Sequence, residues 1–173
     1  MILAVDVDYR EVGAIAAGVL FEQWADAKPL EELVISIPTV EAYEPGQFYK
    51  RELPCIIELF CKLARLPEFV VIDGHVFLDG SGKAGLGKHL FDSLDGRAAV
   101  IGVAKSRYKD TSQDAALNRA GSSRALYVTA TGTDTDTAKG YITQMHGPYR
   151  LPTLLKYVDQ LSRRQENRSP ARI

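Results

Sequence analysis

Two short apolar runs in this chain each stop at an aspartate. Ile2-Leu3-Ala4-Val5 ends at Asp6, and Phe69-Val70-Val71-Ile72 ends at Asp73. Runs this short and this continuously apolar read as strands covered on both faces, as in a sheet buried between helix layers. A lone aspartate after such a strand is commonly a turn residue. Two of them, with Glu52 between in Tyr49-Lys50-Arg51-Glu52-Leu53-Pro54, are instead well placed to hold a divalent metal against a phosphate.

The remaining periodicity fills in the sheet and its cover. Residues 2–7, 13–20 and 33–37 read as three consecutive strands, with Asp8-Tyr9-Arg10 as the hairpin link between the first two. Pro38 and Pro45-Gly46 mark a loop. Residues 47–66 read as helix, with Leu53, Ile56, Ile57, Phe60 and Leu63 at helical spacing. Further strands are expected at 69–73, 98–103 and 125–129, and further helices at 84–94, 135–145 and 152–164. Three strands followed by strand–helix alternation predict a mixed sheet, an antiparallel meander joined to parallel crossovers, with helices on its faces. With the first and fourth strands as parallel neighbours, Asp6 and Asp73 emerge side by side, and Glu52 faces them from the crossover helix.

The 173 residues, 46% hydrophobic and 25% charged, suit one globular domain over residues 1–165. Residues 166–173 read as a disordered basic tail. A net charge of −1 gives no global attraction to nucleic acid, so any such surface must be a local patch. Cys55 and Cys61, six apart on one helix, face different ways and read as free thiols of a reducing compartment. No apolar run is long enough to cross a membrane and no charged leader precedes the first strand. A cytoplasmic location is expected.

Several motifs have two readings. Gly80-Ser81-Gly82-Lys83-Ala84-Gly85 fits a dinucleotide fingerprint, and Gly82 to Lys88 fits most of a P-loop. The second lacks the closing Ser or Thr, having His89 there, and the first does not follow its strand directly. A plainer use is a backbone that comes close to an anion or a flat base. Lys105, just beyond Ile101-Gly102-Val103-Ala104, is either a solvated lysine or a group that stabilises phosphate charge. His75 and His89 lack an i,i+4 partner for a metal and read as polar contacts near the site. No nucleophile elbow supports a Ser-His-Asp arrangement.

Taken together, the segments resemble the endonuclease V family. They are Ala4-Val5-Asp6-Val7-Asp8-Tyr9, Tyr49-Lys50-Arg51-Glu52-Leu53-Pro54, Val71-Ile72-Asp73-Gly74-His75, Gly85-Leu86-Gly87-Lys88-His89-Leu90 and Ile101-Gly102-Val103-Ala104-Lys105-Ser106. Leu126-Tyr127-Val128-Thr129 and Tyr149-Arg150-Leu151-Pro152 follow in family order. The resemblance implies a ribonuclease H-like α/β fold with a mixed five-stranded sheet flanked by helices. It implies a deoxyinosine 3′-endonuclease-like enzyme using Mg²⁺, with Mn²⁺ as a substitute, on DNA or RNA that contains inosine. Asp6, Glu52 and Asp73 would be catalytic carboxylates holding one or two ions, roughly 4 Å apart if two. Lys105 would be the site lysine. The cut would fall one nucleotide beyond inosine on its 3′ side, leaving 3′-hydroxyl and 5′-phosphate ends. Gly85 and Leu86 would form the pocket for the extruded base, with Tyr43, Pro45, His89, Lys88 and Arg107 also touching the strand. Lys83 and Lys109 are further candidates for phosphate contacts.

The chain departs from the family pattern in four places. The Pro-Tyr-Ile-Pro wedge is Ala42-Tyr43-Glu44-Pro45, which sets a negative charge beside a phosphate path. The late Gly-His is replaced within Thr129-Ala130-Thr131-Gly132-Thr133-Asp134-Thr135-Asp136, where Asp134 is either the substitute metal ligand or a helix N-cap. Asp79 stands where many members have His, and the family's N-terminal extension is lacking. Two alternatives stay open beside the nuclease: a weak or inactive nucleic-acid-binding homologue, and a related nuclease acting on another DNA or RNA structure.

Overall fold

The protein is described here by a computed structural model covering residues 1–42 and 44–164. Tyr43 and the expected tail at 166–173 lie outside the described residues. The chain opens with β1 (Ile2–Tyr9), β2 (Ala14–Phe21) and β3 (Glu31–Ile37), followed by α1 (Tyr49–Phe60), β4 (Phe69–Asp73) and α2 (Leu86–Ser93). Next come β5 (Ala99–Ala104), a 3-10 turn at Gln113–Ala115, β6 (Ala116–Leu117), β7 (Leu126–Thr131), α3 (Thr135–Gln144) and α4 (Thr153–Ser162).

All the strands join one mixed sheet in the order β3-β2-β1-β4-β5-β7-β6. The expected meander and parallel crossovers are present, but the sheet has seven strands, not five. Two residues of β6 add an edge that the sequence gives no pattern long enough to reveal, and β7 turns back antiparallel on β5. The first hairpin also runs further than expected. β1 continues to Tyr9, and the turn closes with the Arg10 amide donating to the Gly13 carbonyl. Gly13 takes φ +75°, and a Cβ there would meet the Ile37 carbonyl oxygen at 2.0 Å, so that turn requires glycine.

Side-chain alternation along the central strands builds two cores. Leu3, Val5, Val70 and Ile72 pack with Ile56 and Leu59 of α1 and Leu90 of α2. Ile2, Ala4, Val71, Ile101 and Val103 pack on the other face with Ile142 of α3 and Leu154, Val158 and Leu161 of α4. Cys55 is buried and Cys61 exposed, in keeping with opposite faces of α1. No helix among the described residues is long and apolar enough to cross a membrane.

Candidate active site

The register of the two central strands sets the site. β1 and β4 run parallel with Val5 beside Ile72, so Asp6 and Asp73 come next in the same direction. Ala4, Val71 and Val103 all point into the core under α4. Asp6, Asp73 and Lys105 lie two residues further along, and period-two alternation puts them on that same face. There they meet Asp159, which projects from α4. One carboxylate oxygen from each of Asp6, Asp73 and Asp159 lies within 4.8 Å of the others. The Lys105 ammonium donates to Asp73 Oδ2 at 2.7 Å and to Asp159 Oδ1 at 3.2 Å. Arg163, one turn along α4, donates to the same Asp159 oxygen at 3.0 Å.

Charge is expensive here. Burial pushes the Asp6 carboxyl up, against a hydrogen bond from Ser162, and the neighbouring Asp73 and Asp159 carboxylates push the same way as burial. Glu52 is only 6% exposed. Burial first, then Asp6 and Asp73, raise its carboxyl from 4.5 to about 8. Burial pulls the Lys105 ammonium down, but its bonds to Asp73 and Asp159 outweigh that and hold it above the usual lysine value.

Asp6, Asp73 and Asp159 offer only oxygen donors, which suit a hard divalent cation, and Glu52 is not among the carboxylates that meet within 4.8 Å. The influences on Glu52 are burial and two like charges, with no hydrogen bond and no cationic side chain among them. A carboxyl so placed keeps its proton near neutrality, and a nearby cation would favour its ionised form. Asp6, Asp73, Lys105 and Asp159 also line a cavity of about 20 Å³, room for one water- or cation-sized body.

Asp73 also borders a much larger cavity of about 510 Å³. Gly85 and Leu86 line it, together with Phe48, Tyr49, His75, Lys83 and Tyr108. Phe48 and Tyr108 are exposed aromatics on its wall. The Gly85 backbone approaches the protein itself: its amide donates to the Val76 carbonyl at 2.8 Å, and a Cβ would meet the His75 carbonyl oxygen at 2.5 Å. The other expected strand contacts have partners within the protein or lie exposed. Lys88 pairs with Asp92 at 2.5 Å, and His89 stacks on Tyr49 with ring centroids 3.6 Å apart. Arg107 is exposed and donates from Nε to the Thr111 carbonyl. Pro45 is exposed in the loop before α1.

Asp134 lies elsewhere. Its carboxylate caps α3, accepting from the Thr137 amide at 2.8 Å and the Thr137 hydroxyl at 2.6 Å. It lines a separate cavity of about 550 Å³ with Asp79, Asp114, Thr129 and Asp136. Asp79 is itself engaged by the Ser81 and Lys83 amides. Asp159, which sequence reasoning did not single out, is the residue that joins Asp6 and Asp73. Its available signal was position: it falls one turn after Leu155 on the helix face that carries the buried residues.

The chain is similar to known proteins along most of its length. The family model described as Endonuclease V matches residues 1–146. Endonuclease V of Xylella fastidiosa (strain 9a5c) is 36% identical over 104 residues, which are 59% of this chain and 42% of that protein. The chain thus spans less than half the length of that curated relative. Among solved structures, human ENDOV superimposes with a TM-score of 0.77 at 20% identity, covering 94% of this chain and 82% of that one. Ciona intestinalis endonuclease V, in complex with a 23mer DNA containing an inosine followed by a ribo-adenosine, gives 0.76 at 19% identity, covering 94% and 83%.

Proposed function

From the membership of this chain in the endonuclease V family, with its ribonuclease H-like fold, we propose that it is a divalent-metal-dependent endonuclease cutting DNA or RNA on the 3′ side of inosine. The observation that carries the reading is the meeting of Asp6, Asp73 and Asp159 within 4.8 Å at one end of the sheet, with buried Glu52 beside them. These four residues would hold Mg²⁺ or Mn²⁺. A divalent ion bound there supplies Lewis-acid polarisation of the phosphate and a nucleophilic water at neutral pH.

The protein's own groups do the rest. Lys105, charged and anchored to two of the carboxylates, donates to the phosphate oxygens as negative charge builds on them. The cavity beside Asp73 takes the extruded base, with Phe48 and Tyr108 offering faces to stack on and Gly85 and Leu86 forming its floor. Lys83 on that wall, and the exposed Arg107 and Lys109 on either side of Tyr108 in the chain, are basic groups available to neighbouring phosphates. Bond cleavage leaves a 3′-hydroxyl and a 5′-phosphate.

The test is cleavage of matched oligonucleotides, inosine against adenosine, as DNA and as RNA, with Mg²⁺ and with chelator. The reading expects inosine-dependent cutting that chelator abolishes. Equal cutting of both strands, or cutting that survives chelation, contradicts it.

A further inference from the structure

We propose that Ser162 is a positioning residue for the metal centre, whose hydroxyl orients Asp6 and fixes it against the helix that carries Asp159. The inference rests on the metal-site reading above. Ser162 is fully buried, one turn after Asp159 on α4. Its helix neighbours on that face, Leu155, Val158 and Leu161, are apolar and buried. A hydroxyl in such a stripe is destabilising unless it finds a partner.

The partner is Asp6: Ser162 Oγ donates to Asp6 Oδ2 at 2.5 Å. The Asp159 carbonyl oxygen is also near, at 2.9 Å. A hydroxyl has one proton, and a carboxylate is the stronger acceptor, so the proton goes to Asp6. With one oxygen engaged, the carboxylate of Asp6 loses its freedom to rotate. Its other oxygen keeps its lone pairs for a cation shared with Asp73 and Asp159.

A second link holds the same joint. Arg10 follows β1, in step with Asp6 and Asp8 on the alternating strand face. Its Nη2 donates to the Ser162 carbonyl at 2.9 Å and the Arg164 carbonyl at 3.2 Å, and its Nε pairs with Asp8 at 3.1 Å. A cation on the free carbonyls at a helix C-terminus is favourable. The last turn of α4 is therefore fastened to the end of β1 by its backbone through Arg10 and by its side chain through Ser162. Asp159 lies one turn before that joint on the same helix, so its distance from Asp6 is set by it.

The test is Mn²⁺ binding to the full chain, followed by electron paramagnetic resonance, beside thermal melts in chelator. Ser162→Ala removes the hydroxyl, and Ser162→Cys keeps the volume but donates weakly. Ser162→Thr keeps the donor. Both hydroxyl-free variants should bind Mn²⁺ about tenfold or more weakly, the usual scale for losing a group that orients a metal ligand, while Ser162→Thr stays close to the unmodified protein. If Ser162→Ala fails to fold, Ser162→Cys carries the comparison. Unchanged Mn²⁺ affinity in a folded hydroxyl-free variant, with only the melting temperature lowered, overturns the proposal and leaves the metal site standing. Failure of the unmodified protein to bind Mn²⁺ overturns both.

Discussion

The carboxylates of Asp6, on the first strand, and Asp159, on the last helix, lie within 4.8 Å of one another. Neither sits in a loop. Asp6 is fixed by the pairing of β1 with both β2 and β4, and Asp159 by the packing of Leu155, Val158 and Leu161 beneath α4. A site built on such elements holds its geometry with little reorganisation.

Asp73→Asn should abolish cleavage and leave the fold intact, since it removes a charge and almost no volume. The loss in rate should exceed the roughly 10–100-fold that follows from losing an outer-sphere partner of a metal. Asp6→Asn should do the same. Turnover close to that of the unmodified protein, with the same metal requirement, removes these residues from the site.

Asp159 and Asp134 make opposite predictions. Asp159→Asn should raise the Mg²⁺ concentration needed for half-maximal cleavage. Asp134→Ala should leave that concentration alone and lower the melting temperature, because its carboxylate is engaged by the Thr137 amide and hydroxyl at the start of α3. Asp136→Ala, within the first turn of α3, serves as the control. A shifted Mg²⁺ titration for Asp134→Ala with an unshifted one for Asp159→Asn would reverse the assignment.

The contrast between those two residues marks what the sequence makes legible. Asp6 and Asp73 end apolar runs whose parallel pairing follows from the order of strands and helices, so their meeting is deducible. Glu52 follows from its place at the start of the crossover helix. Asp159 ends no apolar run and opens no loop. It is one polar residue in an amphipathic helix, Tyr157-Val158-Asp159-Gln160-Leu161, and only the docking of α4 on β1 turns it toward the site. Asp134 has the opposite history: Gly132-Thr133-Asp134 ahead of a helix is as good a cap signal as a ligand signal, and the local hydrogen bonds engage it. The sequence shows six strand segments against the five-stranded sheet of the resemblance, and the seventh, the two-residue β6, lies below any periodicity.

Proton linkage at Glu52 is measurable. Its carboxyl stands at about 8 in the folded protein against 4.5 ordinarily, so the folded state holds that proton more tightly than the unfolded chain. The stability this gives is fully present below the unfolded value and is lost as pH rises through the folded one. Asp6, raised first by burial, acts in the same direction. The melting temperature of the metal-free protein should therefore fall between pH 4.5 and about pH 8, and Glu52→Gln should flatten that fall. Binding of Mg²⁺ near neutrality should release protons, seen by calorimetry in buffers of different ionisation enthalpy. An equal slope in Glu52→Gln contradicts the assignment.

Lys105→Ala should lower the single-turnover rate more than it lowers affinity for the strand, because the ammonium acts on charge that develops during reaction. Equal losses in both would make it an ordinary phosphate contact.

Glu44→Ile should strengthen binding to inosine-containing strands. Glu44 now accepts from the Lys50 ammonium at 2.9 Å and the Gln47 amide at 2.8 Å, on an exposed surface. The substitution removes a negative charge, frees Lys50 and adds an apolar side chain. A gain that shrinks with salt points to charge, and one that persists points to wedging. Unchanged affinity at every salt concentration would separate this loop from the nucleic acid.

The most direct measurement is anomalous diffraction from crystals soaked in Mn²⁺. The account predicts a manganese peak bounded by Asp6, Asp73 and Asp159, with Glu52 on its buried side, and its loss in Asp73→Asn crystals. No peak there in a protein that still cuts inosine-containing strands, or a peak at Asp134 instead, would contradict it.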